Sequence, residues 1–206
     1  MSVENFHGGV LPQQRAFDKA DEINGVTFAS DHGRAKQYFV APPSDAMNAH
    51  EAMHDFIFTK SLVDRTFYEV LRDGTPCKLY YDLEIEVKHD LDDRGASLPC
   101  DGRSARMAAM MDKLQEDFIE ASLKALKSKG GTGLDRDLEQ DDVTVLYSDG
   151  LSSGHFKASR HIIIPAWFHS NHAGMKHFAH KVWTDLGKPL GFDKGVYTKN
   201  RCFERR

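Results

Sequence analysis

The stretch CKLYYDLEIEV, residues 77–87, alternates between two kinds of side chain from end to end. Cys77, Leu79, Tyr81, Leu83, Ile85 and Val87 are apolar, and Lys78, Tyr80, Asp82, Glu84 and Glu86 are mostly polar. A period of two predicts a half-buried β-strand, in which residues i and i+2 share a face. Asp82 and Glu84 then project together, about 7 Å apart along the backbone. Like charges at that distance repel, and a divalent cation is one physical reason to tolerate them. The bland alternative is the solvated outer face of an edge strand.

The remaining composition narrows the possibilities. A chain of 206 residues is one large domain or two small ones, long enough to bury a core. Its 40% hydrophobic and 28% charged residues are ordinary for a globular protein. No apolar run approaches the length of a membrane span. The opening MSVENFHGGVLPQQR has neither a basic nor an apolar signal region, so no secretory leader is expected. Cys77, Cys100 and Cys202 are odd in number and far apart, which fits a reduced intracellular protein, and no CxxC suggests zinc. A net charge of −4 argues by itself against a nucleic-acid partner. It hides a gradient, however. Residues 82–93 are acidic, whereas Lys194, Lys199, Arg201, Arg205 and Arg206 near the end face a single Glu204.

Reading along the chain, Gln13–Ile23 is a candidate short helix among otherwise weak signals over residues 1–30. AKQYFVA (35–41) reads as a strand ended by Pro42-Pro43, and Ser44 as the N-cap of a helix reaching about Lys60. TFYEVL (66–71) and the 77–87 strand flank RDGTP, whose Asp-Gly predicts an antiparallel hairpin. Residues 88–104 read as a polar loop. Ser104–Lys129 is the clearest helix, with Met107, Met110, Met111, Leu114, Phe118, Ala121 and Ala125 as its core stripe and Gly130-Gly131 as its stop. A linker, GGTGLDRDLEQ, leads to a strand at 142–148, a turn at DGLSSG, and a strand at 155–165 ended by Pro165. Residues 171–187 form a second amphipathic helix closed by Gly187, and GVYTKNRCF reads as extended. Hairpins interleaved with long helices predict an α+β fold, with a mainly antiparallel sheet backed by helices.

In FKASRHIII the alternation puts Lys157, Ser159 and His161 on one face, with Ala158, Arg160 and Ile162 on the other. A cation, a hydroxyl and an imidazole in a row form a cradle for an anionic group such as a triphosphate. Asp193 adds a third carboxylate just before the basic segment. Three carboxylates with such a row are the parts of a metal-dependent phosphoryl-transfer site.

With these pieces together, the chain resembles the archaeo-eukaryotic primase superfamily, whose pattern is D-x-E on a strand, S-x-H on a strand, then a single Asp. The segments FYEVLRDGTPCKLYYDLEIE, FKASRHIII and DKGVYTKNRCF are most similar to the eukaryotic primase-polymerase (PrimPol) group, in the same order. The likeness covers residues 66–87, 142–165 and 192–203 well and the N-terminal part faintly. It implies a primase-polymerase catalytic core of antiparallel, RRM-like sheets with packed helices. Residues 1–65 would be an N-terminal α/β module, and residues 66–206 a palm-like catalytic module cut short at its C-terminus. It further implies that Asp82, Glu84 and Asp193 bind catalytic Mn²⁺ or Mg²⁺. Lys157, Ser159, His161 and Arg201 would contact the nucleotide's phosphates, and Lys36 and Lys199 are candidate template or nucleotide contacts. The implied partners are single-stranded or primed DNA and nucleoside triphosphates, with no membrane, and the implied state is a monomer. The implied setting is DNA replication and damage tolerance in a nucleus or mitochondrion.

Two departures stand out. Where family members carry a second arginine three residues after the first, this chain has Glu204, with Arg205 beside it. It also lacks the Cys/His zinc module of full-length relatives, so it reads as a fragment, and zinc is not expected within these residues. Other candidates have milder readings. His169, His172, His177 and His180 are helix-spaced but read as a polar helix face. Glu86 reads as solvated, and Asp142 or Asp149 could replace Asp193 as third ligand. The competing functions are a metal-dependent nuclease and a catalytically inactive DNA-binding fragment.

Overall fold

Two compact units make up the computed structural model of the chain, residues 1–72 with 199–206 and residues 73–198. The residues described are 11–32, 35–42, 67–72, 75–88, 103–128, 136–152, 155–168, 172–197 and 201–205. The expected helix after Ser44 and most of the expected 88–104 loop lie outside them.

In the first unit, helix α1 (Gln13–Ile23) precedes strands β1 (Val26–His32), β2 (Ala35–Ala41) and β3 (Phe67–Leu71). The α1 and β2 bounds coincide with those expected. Ala16, Phe17 and Ala20 form the buried face of α1, where Ala16 and Ala20 pack on Val40, and Phe17 packs on Ala29 and Val70. Asn24, left-handed at φ 52°, ends the helix. Strand β1, for which the sequence offered only weak signals, pairs with β2 and sets Phe28 on Phe39 with ring centres 5.3 Å apart.

The sheet order is β2-β1-β3-β8, all antiparallel, with the last strand at Arg201–Arg205. Both edges of β3 are therefore occupied, by β1 and β8. The hairpin expected from Asp73-Gly74 does not form, because the following strand belongs to the second unit's sheet. A turn dipeptide promotes a local reversal of the chain, but strand partners are chosen by long-range packing. Strands β3 and β8, expected in the larger C-terminal module, thus lie in the first unit.

The second unit contains β4 (Cys77–Lys88), α2 (Arg103–Ser128), β5 (Thr144–Tyr147), β6 (Gly150–Ser152), β7 (His155–Phe168) and α3 (His172–Asp185). Its sheet runs β4-β7-β5, with β6 also paired to β7. The 149–154 segment, expected as a plain turn, thus contributes the short strand β6.

Pro165 does not end β7. Leu79 faces Ile164 and Lys78 faces Trp167, so Pro165 and Ala166 sit in a bulge. Pairing with β5 has already stopped at Ile163, so the missing proline N–H interrupts no ladder bond there.

Helices α2 and α3 cover the odd-numbered face of β4. Phe118 of α2 packs edge-on to Tyr81 at 5.0 Å, and Cys77 meets Met175 of α3. The buried stripe of α2 is Met107, Met111, Phe118, Ile119, Ser122 and Leu126. Met110, expected in that stripe, is 60% exposed, since one residue before Met111 is about 100° around a helix. Leu138, within the expected linker, is buried. Among the described residues no helix is long and apolar enough to cross a membrane. The fold is α+β with antiparallel sheets.

Candidate active site

The β4–β7 register builds one row of polar side chains on the face opposite the helices. Asp82 pairs with His161, Glu84 with Ser159, and Glu86 with Lys157. Residues directly opposite or diagonal across an antiparallel pair are within reach of one another. Lys157 Nζ lies 2.6 Å from Glu84 Oε2, and His161 Nε2 lies 3.6 Å from Asp82 Oδ1. The latter separation is too long for a hydrogen bond. Ser159 is 1% exposed, so of the expected phosphate-binding row only Lys157 and His161 offer appreciable surface.

Asp193, distant in sequence, reaches the same place through the backbone. Glu84 N–H donates to Gly191 O at 2.6 Å, and Asp193 N–H donates to Asp82 O at 2.9 Å. Leu83 and Phe192 form a bridge between them, so residues 191–193 behave as a short extra strand on the edge of β4 away from β7. Gly191 has φ 96°, and a Cβ there would lie 2.9 Å from Ile85 Cγ1. This is a turn that glycine makes and other residues resist.

Phe192 is buried among Tyr81, Phe118, His180, Trp183 and Tyr197. Beyond it, Tyr80 and Tyr197 stack at 5.3 Å and strap the segment down. Tyr80 donates to Val196 O at 2.9 Å, and Tyr197 donates to Tyr80 O at 2.7 Å. Lys194–Val196 is a 3-10 turn rather than the expected extended run, capped by Asp193 Oδ1, which accepts from Gly195 N–H at 2.7 Å. Gly191, Tyr80 and Tyr197 were not singled out as site-builders in the sequence.

Electrostatics single out Asp82. Burial pushes its carboxyl above the ordinary carboxylate value; His161 pulls it down, Asp193 and Glu84 push it up, and Lys157 pulls it down. Asp82 Oδ1 is buried and has no hydrogen-bond partner. A buried carboxylate oxygen without a donor is unfavourable, and a hard divalent cation would satisfy it. The donor set is all oxygen, which suits Mg²⁺ or Mn²⁺ better than zinc. In the conformation described, Glu84 is held by Lys157 and Asp193 by Gly195, and among the described residues no three His, Cys, Asp or Glu side chains converge as a metal cage. Asp82 is thus the carboxylate with an oxygen left unpartnered, and Glu84 and Asp193 are its acidic neighbours.

The other candidates sort cleanly. Asp142 is taken by Arg136 and the Glu139 N–H, which bring its carboxyl down to about 2. Asp149 is taken by Arg160 and Ser159 N–H, so neither stands in for Asp193. Glu86 is exposed and pairs with His155 at 3.1 Å. His177 is exposed as expected, but His180 is not part of a polar helix face. Its ring meets Trp183, Phe192 and Tyr197, and burial pulls its imidazole below the ordinary value.

Arg160 is the unexpected feature of β7, a charged side chain buried on the helix face. Its sequence signal was a lone arginine among Ala158, Ile162 and Ile164. Lys36 is an exposed residue of β2 and Arg201 opens β8 opposite Leu71, both in the first unit. His169 and Lys199 lie outside the described residues. Comparison with protein-family models and with curated protein sequences gives no match.

Proposed function

We propose that the second unit is the catalytic centre of a template-directed DNA primase or polymerase. The observation that carries the reading is the row itself. An unpartnered buried Asp82 oxygen lies beside Glu84 and Asp193, with Lys157 and His161 on the adjoining strand. In the proposed reaction the 3′-hydroxyl of one nucleotide gives up its proton to solvent and forms a bond to the α-phosphorus of the next, the bond from that phosphorus to the β-phosphate bridging oxygen breaks, and pyrophosphate leaves.

Asp82, Glu84 and Asp193 would hold the Mn²⁺ or Mg²⁺, which neutralises phosphate charge and lowers the pKa of the attacking hydroxyl. Lys157 exchanges its Glu84 partner for a phosphate oxygen, and His161 donates to another. Ser159, buried between them, is carried as a phosphate contact by the sequence resemblance. Arg201, with Lys36 and Lys199, is carried as a further phosphate or template contact by the sequence resemblance.

The test is primer extension by the purified chain with Mn²⁺, a primed template and deoxynucleotides. Wild-type protein should incorporate nucleotides, and Asp82→Ala and Glu84→Ala should each lower the rate by roughly a hundredfold or more. His161→Ala should mainly raise KM. Incorporation that survives both carboxylate substitutions removes the site, and metal-dependent cleavage of the strand in place of extension makes it a nuclease.

A further inference from the structure

On the helix-covered face of β7, Arg160 is 2% exposed. A buried guanidinium is tolerated only when its donors are paired. Its Nε and Nη2 donate to Asp112 Oδ1 of α2 at 3.3 and 2.9 Å. Its Nη1 donates to Asp149 Oδ1 and, at 3.0 Å, to the Ser159 carbonyl, while the guanidinium lies 4.4 Å from the centre of the Tyr147 ring. The same Asp149 Oδ1 accepts the Ser159 N–H at 3.1 Å, and Ser148 N–H donates to the Ser159 carbonyl at 3.1 Å.

These bonds fall where the edge of the sheet is broken. Strand β5 ends at Tyr147 opposite Arg160, and β6 starts at Gly150 opposite Lys157. His161 is held by pairing with Leu146 and Lys157 by pairing with Gly150. Ser159, between them, has its N–H held by a carboxylate side chain. One oxygen of Asp149 therefore bridges the gap, and the buried Arg160 fixes that oxygen.

We infer that Asp149, fixed by Arg160, is a positioning residue that sets the spacing of Lys157 and His161 for a triphosphate, an inference that rests on the nucleotidyl-transfer reading. Asp112 pairs with the same guanidinium but touches no atom of Ser159 in this network, which makes it the control. Without the Asp149 carboxylate, Ser159 keeps its register opposite Glu84 and the Ser148 N–H on its carbonyl but loses the acceptor of its own N–H, which loosens the β5–β6 edge along which Lys157 and His161 are spaced. Loosening of that kind weakens nucleotide binding without touching a ligand-facing group.

The experiment compares Asp149→Ala, Asp149→Asn and Asp112→Ala by amide exchange at Ser159, melting temperature, and the Kd of a non-hydrolysable deoxynucleoside triphosphate with Mg²⁺. Asp149→Ala should speed exchange at Ser159 and raise Kd about tenfold, the size of one charge-assisted hydrogen bond. Asp149→Asn, whose amide oxygen still accepts the Ser159 N–H, should recover most of both. Asp112→Ala should lower the melting temperature yet leave Kd within about twofold of wild type.

Wild-type exchange at Ser159 in Asp149→Ala overturns the inference, as does a Kd raised equally by Asp112→Ala. A wild-type chain that binds no nucleotide refutes the nucleotidyl-transfer reading instead, and the Ser159 exchange rates still decide whether Asp149 holds the strand.

Discussion

Replacing Gly191 with alanine tests how Asp193 is delivered to the site. The residue sits at φ 96°, where an L side chain is strained by about 1–3 kcal/mol. The added methyl would also lie 2.9 Å from Ile85 Cγ1 and 3.2 Å from Leu114 Cδ2, inside ordinary contact distance on two sides. Overpacking of this kind adds about 1–3 kcal/mol. The flexible end of Leu114 can give way more easily than Ile85, which is β-branched and sits on a paired strand. The combined cost is about 2–6 kcal/mol. For a chain of this size that corresponds to a fall in melting temperature of roughly 4–24 °C. The relief available to the chain is to move the 191–193 segment away from β4, which breaks the 2.6 Å bond from Glu84 N–H and the 2.9 Å bond from Asp193 N–H to Asp82 O. Calorimetry and primer extension on the same sample should therefore show a less stable protein that has also lost incorporation. A melting temperature within a degree or two of wild type, with normal extension, would refute the reasoning about this turn.

Two further substitutions probe the same region. Tyr197→Phe keeps the stack on Tyr80 but removes the buried 2.7 Å bond to the Tyr80 carbonyl, so urea unfolding should show a loss of about 1–2 kcal/mol; an unchanged midpoint would mean the strap carries no energy. Asp82→Asn should stabilise the metal-free protein at pH 7 while ending activity. Burial raises the Asp82 pKa on folding, so ionising it costs stability from the unfolded carboxylate value upward, and the full cost remains above the raised folded value. Scanning melting temperature against pH should show wild type and variant converging below about pH 4, where both residues are neutral, and parallel curves would contradict this.

The parts of the molecule that were legible in the sequence are those governed by periodicity. Alternation in 77–87 and 155–164 placed β4, β7 and the faces of Asp82, Glu84, Lys157 and His161, and the 3.6-residue repeat placed α2 and α3. Pairing was not legible. Asp73-Gly74 suggested a hairpin, but β3 found both its partners, β1 and β8, elsewhere in the chain. Pro165 looked terminal because a bulge is visible only once the partner strand is known. Arg160 was assigned correctly to the opposite face, yet its burial depends on Asp149 and Asp112, 11 and 48 residues away in sequence. Asp193 was picked out by type and order, while the glycine turn and tyrosine strap that bring it to Asp82 are tertiary features.

The central claim is that Asp82, with Glu84 and Asp193 beside it, holds a divalent cation. Titrating Mn²⁺ into wild-type and Asp82→Ala protein, followed by the electron paramagnetic resonance signal of the free ion, tests that claim without relying on activity. The account predicts saturable wild-type binding that weakens about tenfold or more in the variant. Equal binding by the two proteins, or none by wild type even with a nucleoside triphosphate present, would contradict it.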